Sequence, residues 1–297
     1  MPHIFSFSQL QRFIHSFPAL REVILRNDPT WDPPEVSAET GLHRTDLSAD
    51  AWPRLKLWYM SSAVTLRFLE LFTTQHPKVQ RLCIHVLGLR SSALLQAVEE
   101  VLRESGPALA EFEWFASSYN QIALDPVPRL MYNTNLETLQ AQIFVLTISR
   151  ACTSLMALFS HIKSTHMYNM LIQLDLGRLP LDDMDLSVEG STESITAFHA
   201  ILCRPVFAGL PTGAMKIFFK YWNMPSDDEP SAINVASARI QTIMVLLLTP
   251  WFVRGVLQLQ LPNGSLVEGI PPNFRSAGPS IEDDSSIGNG ALRGLAG

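Results

Sequence analysis

The chain has 297 residues, 47% of them hydrophobic and 17% charged, enough for one elongated domain or two compact ones with a substantial core. A formal net charge of -6 and a pI near 5.7 argue against nucleic-acid binding, which calls for a basic stripe and a high domain pI. Three widely spaced cysteines, Cys83, Cys152 and Cys203, form no C-x-x-C pair, so neither a disulfide framework nor a cysteine-based zinc site is expected.

Along the chain, the opening "MPHIFSFSQL" has no basic n-region and no continuous apolar h-region, so a secretory signal is not expected. A reducing compartment follows, cytoplasmic or nuclear, and Asn263-Gly-Ser265 becomes a turn rather than a glycan acceptor. Leu10, Phe13, Ile14 and Phe17 then fall at helical spacing and stop at Phe17-Pro18, where "LREVIL" begins a strand-like apolar-x-x-apolar-x-apolar pattern at Leu20.

The same pattern returns at Trp52, Val79, Leu109, Leu136, Leu171, Ala214 and Val256, at intervals of 27 to 43 residues. At this apolar content, three fixed positions match by chance about one time in ten, so the pattern alone proves little. The helical runs between the matches give it weight. Val64, Phe68, Leu71 and Phe72 precede the third match, and Leu94, Leu95, Val98, Val101 and Leu102 the fourth. Cys152, Leu155, Met156 and Phe159 precede the sixth, and Ile195, Phe198 and Leu202 the seventh. Ile240, Ile243, Met244, Leu247 and Leu248 precede the last. Prolines at His76-Pro77, Gly106-Pro107 and Thr249-Pro250 mark further helix ends. Strands separated by helical crossovers pair in parallel, and units of one strand and one helix must stack to bury both elements.

The stretch "SFSQLQRFIHSFPALREVILRN" resembles the helix, Phe-Pro-x-Leu, strand unit of fungal F-box/leucine-rich-repeat-like proteins, and "FVRGVLQLQL" resembles their closing strand. The likeness spans roughly residues 4 to 262. It implies an α/β fold, an irregular leucine-rich-repeat-like solenoid with a parallel sheet on the concave face and helices outside. It also implies a protein-protein interaction scaffold or, as an alternative, the substrate-recognition part of a ubiquitin-ligase receptor. Residues 1 to 19 show no Leu-Pro-x-Glu-like F-box opening. The repeat's usual Asn or Cys ladder position holds Asp28, Met60, Leu87, Ser117, Phe144, Leu179, Trp222 and Gly264, which implies irregular stacking.

Strand alternation turns the x positions to the face away from the core. One column becomes Glu22, Arg54, Arg81, Glu111, Thr138, Gln173, Lys216 and Gln258. The next becomes Ile24, Lys56, Cys83, Glu113, Gln140, Asp175, Phe218 and Gln260. A basic patch of Arg54, Lys56 and Arg81 beside Trp58 is the expected partner-binding site, since arginine and tryptophan are favoured anchors.

Catalytic and metal motifs are not recognised. "LDDMDLSVEG" lacks the spacing of a calcium loop, and "GLPTGAMK" lacks the Gly-x4-Gly-Lys-Ser/Thr of a phosphate loop, so it is expected to be a helix-to-strand turn. His161 and His166 are five apart, not four, and no Gly-x-Ser-x-Gly elbow is present. Cys83 and His85 share a strand face and could form a thiolate-imidazole couple, but no orienting group is evident beside them. An α/β hydrolase-like enzyme is the remaining alternative; helices on both sheet faces would mark it. The expectation is therefore a monomer with a protein partner, no catalytic residues, no cofactor, no metal and no nucleic acid.

A membrane span is not expected either. "IQTIMVLLLTPWFV", residues 240 to 253, is fourteen residues long against the ~20 needed to cross a bilayer. Residues 1–262 form the expected folded unit, with a Pro-rich insertion at 27–51 and an acidic turn at 223–232. Residues 263–297 are rich in Gly, Ser, Pro and Asn, and are expected to be a disordered tail.

Overall fold

The computed structural model describes residues 22–26, 54–74, 78–87, 92–117, 128–144, 147–176, 192–220 and 230–269. The expected first helix over Leu10–Phe17, the 27–51 insertion, the His76-Pro77 joint, the 182–189 acidic loop and the chain beyond 269 lie outside the described residues.

Nine strands form one sheet whose spatial order is the chain order. They are β1 (Glu22–Arg26), β2 (Arg54–Ser61), β3 (Arg81–Leu87), β4 (Glu111–Ser117), β5 (Thr138–Phe144), β6 (Asn169–Asp175), β7 (Met215–Lys220), β8 (Leu257–Gln260) and β9 (Leu266–Glu268). The first eight pair in parallel and β9 turns back antiparallel on β8. Described helices lie between most neighbours: α1 (Ser62–Thr73), α2 (Ser92–Ser105), α3 (Ile148–His161), α4 (Thr192–Leu202), α5 (Pro230–Leu247) and α6 (Thr249–Val253). The sequential order is what neighbour-to-neighbour crossovers produce, and it differs from the reversed order of a doubly wound sheet.

Every second strand residue enters the core. Leu55 and Leu57 on β2, Leu82, Ile84 and Val86 on β3, Phe112 and Trp114 on β4, and Met170, Ile172 and Leu174 on β6 are buried. They join Phe68, Leu94, Val98, Leu155, Phe198, Ile240 and Met244 from the helices in one contiguous core. A parallel sheet covered on both faces has near-continuous apolar strands, whereas these strands carry Lys56, Glu113, Gln140 or Lys216 among the intervening positions. The helices thus cover one side, and the polar row forms an outer face.

Helix starts follow local chemistry. Ser61 caps α1 by accepting from the Val64 amide, and Thr147 caps α3 by accepting from the Arg150 amide at 3.1 Å. Pro250 is not merely a stop, because it lies in the first turn of the short helix α6 (N-cap Leu248), where a missing amide hydrogen costs nothing. The 223–232 acidic turn ends earlier than expected, since α5 begins at Pro230.

Helix ends are closed by the following unit. The buried Asn133 amide donates to Leu102 O at 2.8 Å and Gly106 O at 3.1 Å, closing α2. The Arg204 guanidinium donates to Phe159 O, Ser160 O and Ile162 O at 2.9 to 3.0 Å, closing α3. The Trp251 indole donates to Leu202 O at 3.0 Å, closing α4. Carbonyls orphaned at a helix end thereby become contacts between units.

Two boundaries need correction. The sheet extends past residue 262, where the sequence pattern placed the end of the folded region. Asn263 Oδ1 accepts from the Ser265 amide, Gly264 has φ +82°, and the resulting turn returns the chain as β9. In the sixth unit, Asn169 rather than Gln173 lies opposite Thr138, and Gln173 lies opposite Gln142. This four-residue shift is even, so every side chain keeps its face and the apolar pattern alone could not reveal it.

Candidate functional site

The outer face of β2, β3 and β4 gathers the largest set of chemically useful side chains among the described residues. Register places Glu22, Arg54, Arg81 and Glu111 in one row, and Ile24, Lys56, Cys83 and Glu113 in the next. All four residues expected to bind a partner, Arg54, Lys56, Trp58 and Arg81, therefore share this face.

The expected basic patch does not stand as an unbroken positive surface. Lys56 pairs with Glu22 at 3.1 Å and Arg81 with Glu111 at 2.9 Å, so the two cationic strands β2 and β3 lie between acidic residues on β1 and β4. The carboxylates come from the strands flanking the cations, which partly neutralises them. Arg54 is exposed beside these pairs.

A bulge adds an aromatic group that alternation does not reveal. Register runs Leu57 opposite Ile84 and then Met60 opposite Val86, so Trp58 and Tyr59 together face the single residue His85. Tyr59 has φ 55°, a left-handed conformation rare outside glycine, and its side chain is 47% exposed. Trp58 stacks on His85 at 5.6 Å between centroids, Tyr59 meets the imidazole edge-on at 5.8 Å, and Phe115 lies 4.4 Å away. Lys56 Nζ lies 6.0 Å from the Trp58 ring, at the outer reach of a cation-π contact.

Beneath this group, His85 Nε2 and Glu113 Oε1 are 3.0 Å apart, and the Trp58 indole donates to Cys83 Sγ at 3.1 Å. The hydrogen bond from His85 holds the Glu113 carboxyl below its ordinary range, against the opposing effect of burial. Burial pushes the Cys83 thiol up to about 12, with the Trp58 hydrogen bond opposing it. Cys83 is thus a neutral thiol at pH 7, a weak nucleophile. The orienting group not evident in the sequence is Glu113, which engages both His85 and Cys83 while Trp58 donates to the sulfur. One ligand atom from each of Cys83, His85 and Glu113 lies within 4.8 Å of the other two.

The sequence columns placed Cys83 beside Glu113, which was the available signal for this cluster. Tyr59 carried no such signal, because a bulge changes which residues share a face without changing the apolar pattern. Elsewhere, His161 ends α3 and His166 is exposed, and Gly213, at φ +68°, forms the expected turn before β7. No described helix is long and apolar enough to cross a membrane.

No protein-family model matches the chain, and neither a curated protein nor a solved structure matches it.

Proposed function

We propose that the chain is an irregular leucine-rich-repeat-like solenoid, with its helices on the convex side and the polar outer face of its parallel sheet lining the concave side, acting as a non-catalytic protein-interaction scaffold. The observation that carries this reading is the exposed Tyr59 held with φ 55° beside Trp58, His85 and Phe115 on the face turned away from the described helices. A strained residue that displays an aromatic ring to solvent points to use of that ring. Aromatic side chains give large contact area at little entropic cost, and Arg54 adds a fork for a partner carboxylate. The partner is a protein segment that places an apolar side chain on the rings and an acidic one near Arg54.

A photo-crosslinking amino acid at position 59 tests this, with the same group at Val253, 66% exposed on α6, as the control surface. A defined protein should be trapped from position 59 and not from 253. Its capture should fall at least about tenfold with Arg54→Glu, while the melting temperature barely moves, since exposed substitutions shift stability by under ~0.5 kcal/mol. Equal trapping at both positions, or capture indifferent to Arg54, would reject the outer face as the interaction surface.

A further inference from the structure

We propose that Cys83, His85 and Glu113 form a zinc-binding site on the outer face, with the Trp58 indole supporting the sulfur ligand. The three donors are thiol sulfur, imidazole nitrogen and carboxylate oxygen, the set that zinc accepts together and that magnesium and calcium do not. The fold brings them together simply. Cys83 and His85 are two apart on β3, so both project to one face, and Glu113 lies opposite Cys83 on β4.

The spacing is close to what the ion needs. Zinc bonds of ~2.0–2.2 Å to nitrogen and oxygen, at a tetrahedral angle, separate those atoms by about 3.4 Å, and a ~2.3 Å bond to sulfur puts it about 3.6 Å from either. His85 Nε2 and Glu113 Oε1 are 3.0 Å apart, and all three donors lie within 4.8 Å of one another. A small rotation of these side chains completes the triangle. Trp58 and Phe115 lie against His85 at 5.6 and 4.4 Å and restrict its ring plane, while the indole hydrogen bond, 3.1 Å from nitrogen to Sγ, becomes charge-assisted once the sulfur is a thiolate.

Charge and protons also balance. The ion's two positive charges are cancelled by one thiolate and one carboxylate, which suits a half-buried site. Binding breaks the S–H bond, releases that proton to solvent and forms a sulfur-zinc bond. The proton on His85 Nε2 leaves that nitrogen, Nδ1 takes one up, and the ring remains neutral. Three protein ligands leave a fourth position for water or another donor.

The test uses the full chain, stripped with a chelator and titrated with zinc against a chromophoric competitor, and separately with cobalt as a spectroscopic stand-in. The site predicts one equivalent bound and a thiolate-to-cobalt charge-transfer band that survives in Cys152→Ser/Cys203→Ser protein. Cys83→Ser should abolish the band. His85→Gln and Glu113→Gln should each weaken zinc binding by about 100-fold, and Trp58→Phe by about tenfold with the band retained. Circular dichroism identifies any variant that fails to fold, and the remaining variants and the unsubstituted chain then decide the outcome. Zinc should also raise the melting temperature of the unsubstituted chain but not of His85→Gln. No charge-transfer band in the unsubstituted chain, a band that persists in Cys83→Ser, or zinc affinity unchanged in folded His85→Gln and Glu113→Gln would overturn the site.

Discussion

Tyr59 sits at φ 55°, where a side chain other than glycine costs about 1–2 kcal/mol because Cβ crowds the following carbonyl. Its ring recovers little of this, being 47% exposed with one edge contact to Trp58 at 6.4 Å and another to His85. Tyr59→Gly should therefore leave stability unchanged or raise it by up to about 1 kcal/mol in denaturant titration, while removing the aromatic surface. A clear loss of stability would mean that the ring is a structural strut and not a display. Arg204 presents the opposite case. Its guanidinium satisfies three carbonyls at the end of α3, where positive charge also complements the helix dipole. Arg204→Met keeps the stem but strands those carbonyls, and should cost about 2 kcal/mol. Arg204→Lys should recover only part of the loss, because a point-like ammonium cannot reproduce the fork. Full recovery with lysine would assign the effect to charge alone.

At the scale of the strand, the side a residue faces decides its worth more than its chemistry does. Leu171 and Leu174 are three apart on β6, so they face opposite sides; Leu174 is fully buried in the core, and Leu171 is half-buried on the outer face. Leu174→Ala should cost ~2–5 kcal/mol as a core truncation, and Leu171→Ala about 1 kcal/mol. Similar losses in paired denaturant titrations would show that the outer face is packed like the core. Gln173 shares the outer face yet is only 8% exposed, so it is not the solvated position that alternation suggests. Here the limits of the sequence are physical. Alternation reports the face of each strand, and it did so correctly for Lys56, Glu113 and Gln173. It does not report even register shifts, as at Asn169, or the bulge that turns Tyr59 outward. Nor does it reveal which charges are paired: Glu111 follows Arg81 in the sequence column, but only the register and the 2.9 Å separation make them a pair.

Across the whole molecule, chain order was legible because short crossovers leave each strand beside its predecessor, and the helical runs between the apolar repeats announced those crossovers. The end of the sheet was not legible. "NGSLVEG" is dominated by turn residues, and among its described side chains only Val267 is buried. That short segment matters beyond its size, because a stacked array ends in an edge whose unpaired amides and carbonyls invite another chain. β9 lies antiparallel on β8, with Val267 opposite Leu259 and only three residues of its own as the new edge. Val267→Pro removes the buried side chain and a backbone donor, and should loosen β9 at a cost of up to about 3 kcal/mol. With β9 displaced, Leu257 and Leu259 of β8 flank an open edge, so the variant should self-associate as its concentration rises. Sedimentation velocity over a concentration series, with amide exchange across 257–260, reads both effects. A variant whose association matches that of the unsubstituted chain, with β8 protected as before, would show that β9 is a passive hairpin and that β8 resists pairing on its own.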